Sequence, residues 1–432
     1  MNLKRNFILF FLFLLSQTSW CEQSSVPKTL SEAFNAALKR AESIEIQKEL
    51  LLQAQETQRQ AQGALYPSVI GVWNHLRQPN PSTATASAFF PSTQNLLKIT
   101  ATQPVFRGFR EYATLRKSKL LTQAQTFSLA NAAQQLFFDV SETYYNVLNL
   151  KQELSNYNQQ LSLNHQRLKE LEGFIKIGRA KLTDLLTFQA NIASIEAQIE
   201  ARKGQYEIAK DTLAFLTGWD REAKLEDLEV PLIKPSAIET YLSKLERRAD
   251  IQLAQSQLKA NEELSAIALG NHLPSADFLA NYYFTRPGVL SNIQWDVQLA
   301  ISFPLFQGGI TQSQVRQAHS IARQYEWIFR QTQRKAEQEI RTLYHLLVAD
   351  NRQLIKLGEL VNSSKKNYET QLKYYRNGLV TNLDVLQSMT TYEDAQRMRD
   401  HQTFTIKLDT VKLQAATGDR PELIKASPKS SD

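Results

Sequence analysis

The sequence predicts a protein of class α plus transmembrane β, built by internal duplication. Three observations predict it: landmarks that recur at an offset of 200 residues, long apolar seams with helical spacing, and short segments that alternate apolar and polar residues. The repeated unit is far longer than a solenoid repeat, so each copy must be a multi-element half of one molecule.

The duplication is visible in turn residues and in helix residues alike. Pro104, Phe106 and Gly108 return as Pro304, Phe306 and Gly308. The other recurring positions pair Tyr144 with Tyr344, Gly178 with Gly378, Asp184 with Asp384, Leu186 with Leu386, and Thr217-Gly218 with Thr417-Gly418. We therefore predict a first repeat over 22–218, a connection over 219–236, a second repeat over 237–418 and a tail over 419–432.

The first residues have the order of a secretory signal peptide, which we assign to residues 1–21. Lys4 and Arg5 precede an apolar run that is too short for a permanent membrane helix, and polar residues follow it. Cleavage after Cys21 leaves a mature chain without cysteine, so we expect no disulfide. Acylation of Cys21 is the alternative, and Trp20 argues against it because the residue before a lipidated cysteine is normally small.

The composition favours long helices and argues against a nucleic-acid partner. Only 14 of 432 residues are glycine, whereas Gln, Ala, Leu, Lys and Glu are abundant. The formal net charge of +7 is a mild excess for this length, and the basic residues are scattered along the chain. We therefore expect a solvated surface of mixed charge and no nucleic acid.

Each repeat contains one stretch that predicts a very long helix. In the first repeat, apolar residues from Leu136 to Ile175 step by three or four, and no proline or glycine interrupts the chain between Gly108 and Gly173. The stretch from Gly309 to Gly378 is equivalent and has Gly358 as its one internal glycine. A seam of this length must pack against neighbouring helices.

Each long helix ends at a glycine that is followed by a new helix start. We expect Gly178 and Gly378 to close the outgoing helices in the left-handed region, with Thr183 and Thr381 as caps of the returning helices. The returning helices run to Thr217-Gly218 and Thr417-Gly418. Each repeat therefore predicts a tall helical hairpin with a tight tip, and shorter helices are expected over 30–64 and 237–270.

The periodicity changes to two between the helices. An 11-residue segment, Ile293–Phe303, alternates apolar and polar residues and matches the ~9–11 residues of a tilted membrane-spanning strand. Its predicted lipid-facing residues are Ile293, Trp295, Val297, Leu299 and Ile301. We expect β-hairpins at about 276–305 and about 68–105, the second of these with an exposed loop over Gln78–Thr93.

The strand count predicts the oligomeric state. A small soluble sheet is the alternative to a membrane sheet, but no remaining segment is available to cover so apolar a face. Two hairpins give four strands, and the smallest single-chain membrane barrels have about eight. An eight-stranded barrel is filled by its own side chains. A homotrimer with twelve strands in outer-membrane lipid therefore fits an open channel better than a dimer.

Six short motifs follow one another in a characteristic order: Ala64-Leu65-Tyr66-Pro67, Gln103-Pro104-Val105-Phe106-Arg107-Gly108, Ser302-Phe303-Pro304-Leu305-Phe306-Gln307-Gly308-Gly309, Gln314-Val315-Arg316-Gln317-Ala318, Tyr375-Arg376-Asn377-Gly378 and Leu383-Asp384-Val385-Leu386. In this series the chain resembles the TolC-like outer-membrane efflux proteins (the outer-membrane factor family) along essentially its whole mature length. The resemblance implies a trimeric twelve-stranded β-barrel in the outer membrane of a Gram-negative bacterium, continued by a twelve-helix α-barrel into the periplasm. It further implies the exit duct of a tripartite efflux or type I secretion system, with a periplasmic adaptor (membrane fusion) protein and an inner-membrane pump as partners.

The resemblance also implies a periplasmic aperture formed by Asp184, Tyr375, Asp384 and Gln387. Gln387 stands where well-known members have a second aspartate, and Val380 stands where they have an arginine. Three copies of Asp384 form a carboxylate ring that attracts cations, and their mutual repulsion is expected to raise their pKa values. The alternative is that both aspartates are helix N-terminal charges that stabilise the dipole.

The hairpin tips are similar to the family segments that contact the adaptor. The residues concerned are Gly178 and Arg179 in the first repeat, and Gly378, Leu379 and Val380 in the second. A simple hairpin turn is the alternative and explains both glycines, but it does not explain Leu379 and Val380, which we expect to be exposed.

The sequence lacks the motifs of an enzyme, and a scaffold explains only part of it. The six histidines are dispersed without metal-ligand spacing, and neither a glycine-rich phosphate loop nor a nucleophile elbow is present. We therefore expect that the protein is not an enzyme and that it has no catalytic, cofactor or metal site. A periplasmic coiled-coil scaffold without channel activity remains the alternative function; it explains the helical seams and leaves the alternating strand unexplained.

Overall fold

A computed structural model describes residues 28–79, 89, 91–227, 232 and 235–418. The predicted signal peptide, Cys21, most of the Gln78–Thr93 loop and the tail over 419–432 lie outside the described residues. None of the helices in the described ranges combines the length and the apolar character needed to cross a bilayer.

The chain is dominated by two long helical hairpins, and a short β-hairpin precedes each of them. In chain order the elements are α1 (Leu30–Arg40), α2 (Glu42–Gly63), β1 (Ser68–Arg77), β2 (Thr93–Arg107), α3 (Arg110–Lys176), α4 (Leu182–Thr217), α5 (Ile238–Leu242), α6 (Ala249–Gly270), β3 (Ser275–Thr285), β4 (Trp295–Ser302), α7 (Ile310–Arg376) and α8 (Asn382–Ala416). The predicted long helices are confirmed: α3 and α7 have 67 residues each.

The shorter predicted helices are interrupted, contrary to expectation. The first breaks at Ala41, whose backbone is extended with ψ 113°. The second becomes α5, a 3₁₀ turn and then α6, with extended backbone at Arg248. Arg248 is buried, donates a hydrogen bond to the carbonyl of Ala416 at 2.8 Å and forms ion pairs with Asp250 and Glu339. These bonds explain the second break, because a buried guanidinium needs several partners at once.

The four strands form one antiparallel sheet in the order β1-β2-β3-β4. The register sets Trp73 opposite Leu97, and Tyr282 between Ile99 and Trp295. Both hairpins therefore share one apolar face, because side chains that are directly opposite in neighbouring strands lie on the same side of a sheet.

The strand boundaries differ from the prediction. β2 has 15 residues and passes through Pro104, where a register shift lies between Pro104 and Phe106. β4 has only eight residues and begins at Trp295. Ile293 is therefore not part of the strand; its N–H donates to the carbonyl of Leu290 at 3.0 Å and closes a turn, so it is unavailable to the ladder.

The described chain forms two compact units. The first comprises the described parts of 1–39, 140–231 and 361–404. Its apolar interior includes Leu171, Phe188, Leu386 and Met389, and a neighbouring group made of Tyr157, Ile195 and Ile199. The α3 seam thus packs against α4 and α8, as an apolar seam of that length requires.

The second unit comprises the described parts of 40–139, 232–360 and 405–432, and it includes the whole sheet. One buried group of apolar residues in this unit is Ile340, Leu347, Ile406, Leu413 and Ala416. These residues join α7 to the end of α8, and Tyr241 and Leu245 pack against them.

Candidate functional site

The two hairpin tips have the same backbone geometry. We define the first tip as Ile177-Gly178-Arg179 and the second tip as Asn377-Gly378-Leu379. Gly178 and Gly378 have φ values of 73° and 77°, the left-handed conformation that was predicted. Arg179 N–H bonds the carbonyl of Phe174 at 2.8 Å, and Leu379 N–H bonds that of Tyr374 at 3.0 Å.

Both predicted aspartates cap the returning helices. The Asp384 carboxylate accepts hydrogen bonds from the N–H and hydroxyl of Thr381 at 2.8 and 2.6 Å. The Asp184 carboxylate accepts from the N–H of Lys181 at 3.2 Å. The predicted cap at Thr381 is confirmed, whereas Thr183 lies inside α4 and Lys181 precedes the helix. Lys181 is the equivalent of Thr381 in the duplicated numbering, which explains the difference.

A row of rings and guanidinium groups joins α3 to α7 beside the tips. The rings of Phe174 and Tyr375 meet edge to face at 5.9 Å. Arg167 lies 5.6 Å from the Tyr375 ring centre, and Arg179 lies 5.6 Å from that of Phe174. Arg179 also donates to the carbonyl of Arg376 at 3.4 Å. Tyr375 is therefore fixed by Phe174 and Arg167, two contacts that the sequence analysis did not identify.

A cleft of about 410 Å³ lies between the tips. It brings together most of the predicted aperture and tip residues: Gly178, Arg179, Asp184, Tyr375, Gly378 and Val380. Asp384 and Gln387 are exposed and do not line this cleft. The structure therefore separates the two predicted aspartates into different environments.

The apolar tip residues also differ from each other. Leu379 is 69% exposed, as predicted, and Ile177 is 65% exposed. Val380 is half-buried in the cleft, so the expectation that it is exposed is wrong. It turns inward because it follows the left-handed glycine turn and directly precedes the cap residue Thr381.

The carboxyl and phenol groups at the tips have perturbed proton affinities. Hydrogen bonds from Thr381 lower the pKa of Asp384, opposite to the direction expected from repulsion in a ring. Partial burial raises the pKa of Tyr375, Arg167 and Arg179 oppose the shift, and Asp184 adds to it. In the single chain, Asp384 is therefore ionised over the whole neutral range.

The sheet has two chemically distinct faces. The apolar face consists of Val69, Trp73, Leu97, Ile99, Phe278, Tyr282, Trp295, Val297, Leu299 and Ile301. Its side chains are exposed in the single chain; Trp295 is 65% exposed and Leu299 is 58% exposed. An apolar surface this continuous marks a contact with lipid or with another protein.

The polar face carries a hydrogen-bonded network that the sequence analysis missed. Asn281 accepts from Lys98 at 3.1 Å and from Thr100 at 2.8 Å, and it donates to Asp296 at 2.8 Å. Arg286 pairs with Asp296 at 3.4 Å. Only the strand register could have revealed this network, because Lys98 and Arg286 are 188 positions apart in the chain.

No group of three or more His, Cys, Asp or Glu side chains in the described ranges is arranged to hold a metal ion.

Comparison with known proteins places this geometry in a family. The family model described as outer membrane efflux protein matches residues 33–219 and 241–418. The chain belongs to the outer membrane efflux protein family. Among curated proteins, it is 23% identical over 342 residues to outer membrane protein TolC of Escherichia coli (strain K12), a match covering 73% of this chain and 68% of the relative.

Solved structures share the fold. The outer membrane protein VceC of Vibrio cholerae superposes with a TM-score of 0.81 at 21% identity, covering 90% of this chain and 96% of that one. The CmeC outer membrane channel of Campylobacter jejuni gives 0.75 at 17% identity, covering 91% and 87%. The family match identifies the chain as an outer membrane efflux protein, and the solved structures show that it shares their fold, which is mostly helical with a small sheet.

Proposed function

We propose that this protein is the outer-membrane exit duct of a tripartite efflux or type I secretion system. It conducts substrates from an inner-membrane pump across the periplasm and the outer membrane. The observation that carries the proposal is the sheet, whose outer strands β1 and β4 each lack a strand partner on one side within the described chain. Its apolar face is exposed as well.

A closed barrel in a membrane would pair the open strand edges and also cover the apolar face. A bilayer contains no water to satisfy unpaired strand edges, so a membrane sheet must close on itself. Four strands are too few to close, and three copies give the twelve strands of an open barrel. The apolar face then contacts lipid and the polar face lines the channel. We therefore propose a homotrimer.

The hairpin tips support the second half of the proposal. Leu379 and Ile177 are exposed apolar residues beside exposed Arg179, a combination suited to a protein partner. We assign this partner as the periplasmic adaptor, with Gly178, Gly378 and Val380 shaping the turns. Asp184, Tyr375, Asp384 and Gln387 form the periplasmic aperture in this proposal.

A periplasmic scaffold is less compatible with the sheet. A scaffold accounts for α3, α4, α7 and α8, which are long enough to form coiled coils. It does not account for the exposed apolar face, which would aggregate in water.

Cysteine crosslinking between copies tests the trimer directly. A cysteine at Gln298 on β4 is combined in turn with Ile70→Cys, Val72→Cys or Asn74→Cys on β1, all on the polar face. Oxidation in native membranes should give covalent dimers and trimers for one of the three cysteine pairs, the pair that the strand register brings together. The control replaces Gln298→Cys with Leu299→Cys, whose side chain points to the other face. Monomers alone in every register would overturn the closed barrel.

A further inference from the structure

The outer end of the polar face concentrates positive charge. The connections β1–β2 and β3–β4 lie at the end of the sheet that is opposite to its helical connections. A concave region of about 870 Å³ lies at that end. On the polar face it is lined by Lys98, Tyr283 and Arg286 among others, and Trp73 and His75 of the other face also line it. Two cations and no acid line it.

The two cations are held in place by the network described above. The Arg286 guanidinium stacks 4.2 Å from the Tyr283 ring centre, and the Lys98 ammonium lies 5.7 Å from the same ring. Both are linked to Asp296, Arg286 directly at 3.4 Å and Lys98 through Asn281. Fixed charges of this kind bind passing ions without first having to be ordered.

The local charges do not cancel. Asp296 is one carboxylate shared by two cations, which leaves one positive charge per chain. The sequence offers no further acid nearby, because residues 78–97 carry no charged side chain and 287–295 carry none either. Further down the same face, Arg107 and Asp277 pair at 2.8 Å and cancel each other.

We infer that Lys98 and Arg286 form an anion-attracting ring inside the outer end of the channel. The inference rests on the proposed duct, since three copies must close with their polar faces inward. Three surplus charges around a narrow lumen then raise the local concentration of anions. The ring lies on the sheet and is distinct from the carboxylates of the hairpin tips. It favours anionic substrates at the exit of the duct.

Planar-bilayer recordings of the purified full-length protein in a KCl gradient test the inference. The variant Lys98→Gln/Arg286→Gln should shift the reversal potential towards that of potassium, because chloride is no longer attracted. Asp296→Asn should shift it the opposite way, since the neutralising carboxylate is removed. Arg77→Gln is the matched control: it removes one positive charge at the same end but on the other face, and it should cause no shift.

The outcomes separate the inference from the function on which it rests. An unchanged reversal potential in the double variant and in Asp296→Asn overturns the ring and leaves the duct intact. A shift of equal size in Arg77→Gln also overturns it, because net charge alone would then explain the effect. Failure of the wild-type protein to conduct at all overturns both the duct and the ring.

Discussion

Gly108 and Gly270 approach each other so closely that neither position has room for a side chain. A Cβ atom on Gly108 would lie 2.3 Å from the carbonyl oxygen of Gly270, and one on Gly270 would lie 2.5 Å from that of Gly108. The contact joins the start of α3 to the end of α6, beside the sheet. It explains why glycine is needed at both positions.

We therefore expect Gly108→Ala to destabilise the protein strongly. Gly308 is the matched control, because it has a similar positive φ of 58° and a Cβ there meets nothing within 4 Å. In both variants alanine must adopt a positive φ, which costs about the same free energy. Gly108→Ala adds a steric clash with the Gly270 carbonyl, which destabilises the protein by a further ~1–3 kcal/mol. Thermal unfolding in detergent measures the difference. Equal melting temperatures for the two variants would contradict the close contact.

Leu299→Arg should block membrane folding, whereas Gln298→Arg should be tolerated. The two residues are adjacent on β4 and point to opposite faces of the sheet. An arginine that faces lipid near the bilayer midplane costs ~2–4 kcal/mol, and one that faces a water-filled lumen costs far less. Folding into liposomes, followed by the mobility of heat-treated and untreated protein on gels, gives the comparison. Equal yields for both variants would show that the apolar face does not contact lipid.

The burial of Glu393 should make the stability of the protein depend on pH. It is only 4% exposed, and neither carboxylate oxygen meets hydrogen-bond geometry with a described group. Burial raises the pKa of Glu393 from its ordinary value of 4.5 to about 8, and the nearby Arg397 and Gln160 side chains offset this only partly. Because folding raises its pKa, the Glu393 carboxylate binds a proton more tightly in the native state than in the unfolded state. The free energy of unfolding therefore falls as the pH rises from about 4.5 to about 8.

Glu393→Gln should remove that dependence and stabilise the protein above neutral pH. The expected gain is on the order of 2–4 kcal/mol, since each unit of pKa shift corresponds to about 1.4 kcal/mol. Unfolding curves recorded across the pH range measure it. Glu172→Gln is the control, because Glu172 is exposed on the same set of helices. A parallel response of both variants would exclude Glu393 as the source.

Asp384→Asn should weaken cation preference without loss of helix capping. An asparagine side chain still accepts the Thr381 hydrogen bonds, so the melting temperature should stay the same. Because these bonds lower the pKa of Asp384, the cation attraction proposed for the Asp384 ring should persist into mildly acidic solution. Bilayer recordings at neutral and mildly acidic pH test the predicted selectivity, with Asp184→Asn recorded in parallel for comparison. If Asp384→Asn leaves selectivity and block by polyvalent cations unchanged, Asp384 is a capping residue and not part of the aperture.

The long helices and the hairpin turns were predictable from local patterns. From Arg110 to Lys176 the apolar residues step by three or four. No proline interrupts this stretch, so the helix can continue over its whole length. A glycine followed by a cap marks the turn at Gly378 for equally local reasons. The cap at Thr183 was misplaced: the residue that precedes the helix is Lys181, whose side chain has no acceptor atom. The Asp184 carboxylate accepts a hydrogen bond from the Lys181 N–H.

Contacts between distant residues could be read only from the packed chain. The long helices, the four strands and the apolar character of the Trp295–Ser302 strand were predictable, since each follows from spacing within one segment. The pairing of β2 with β3, the Gly108–Gly270 contact, the burial of Glu393 and the Lys98–Arg286 network each join segments far apart in the chain. Periodicity records which face a residue occupies within its own element. It contains no information about which element lies opposite, and that information comes from the packing of the whole chain.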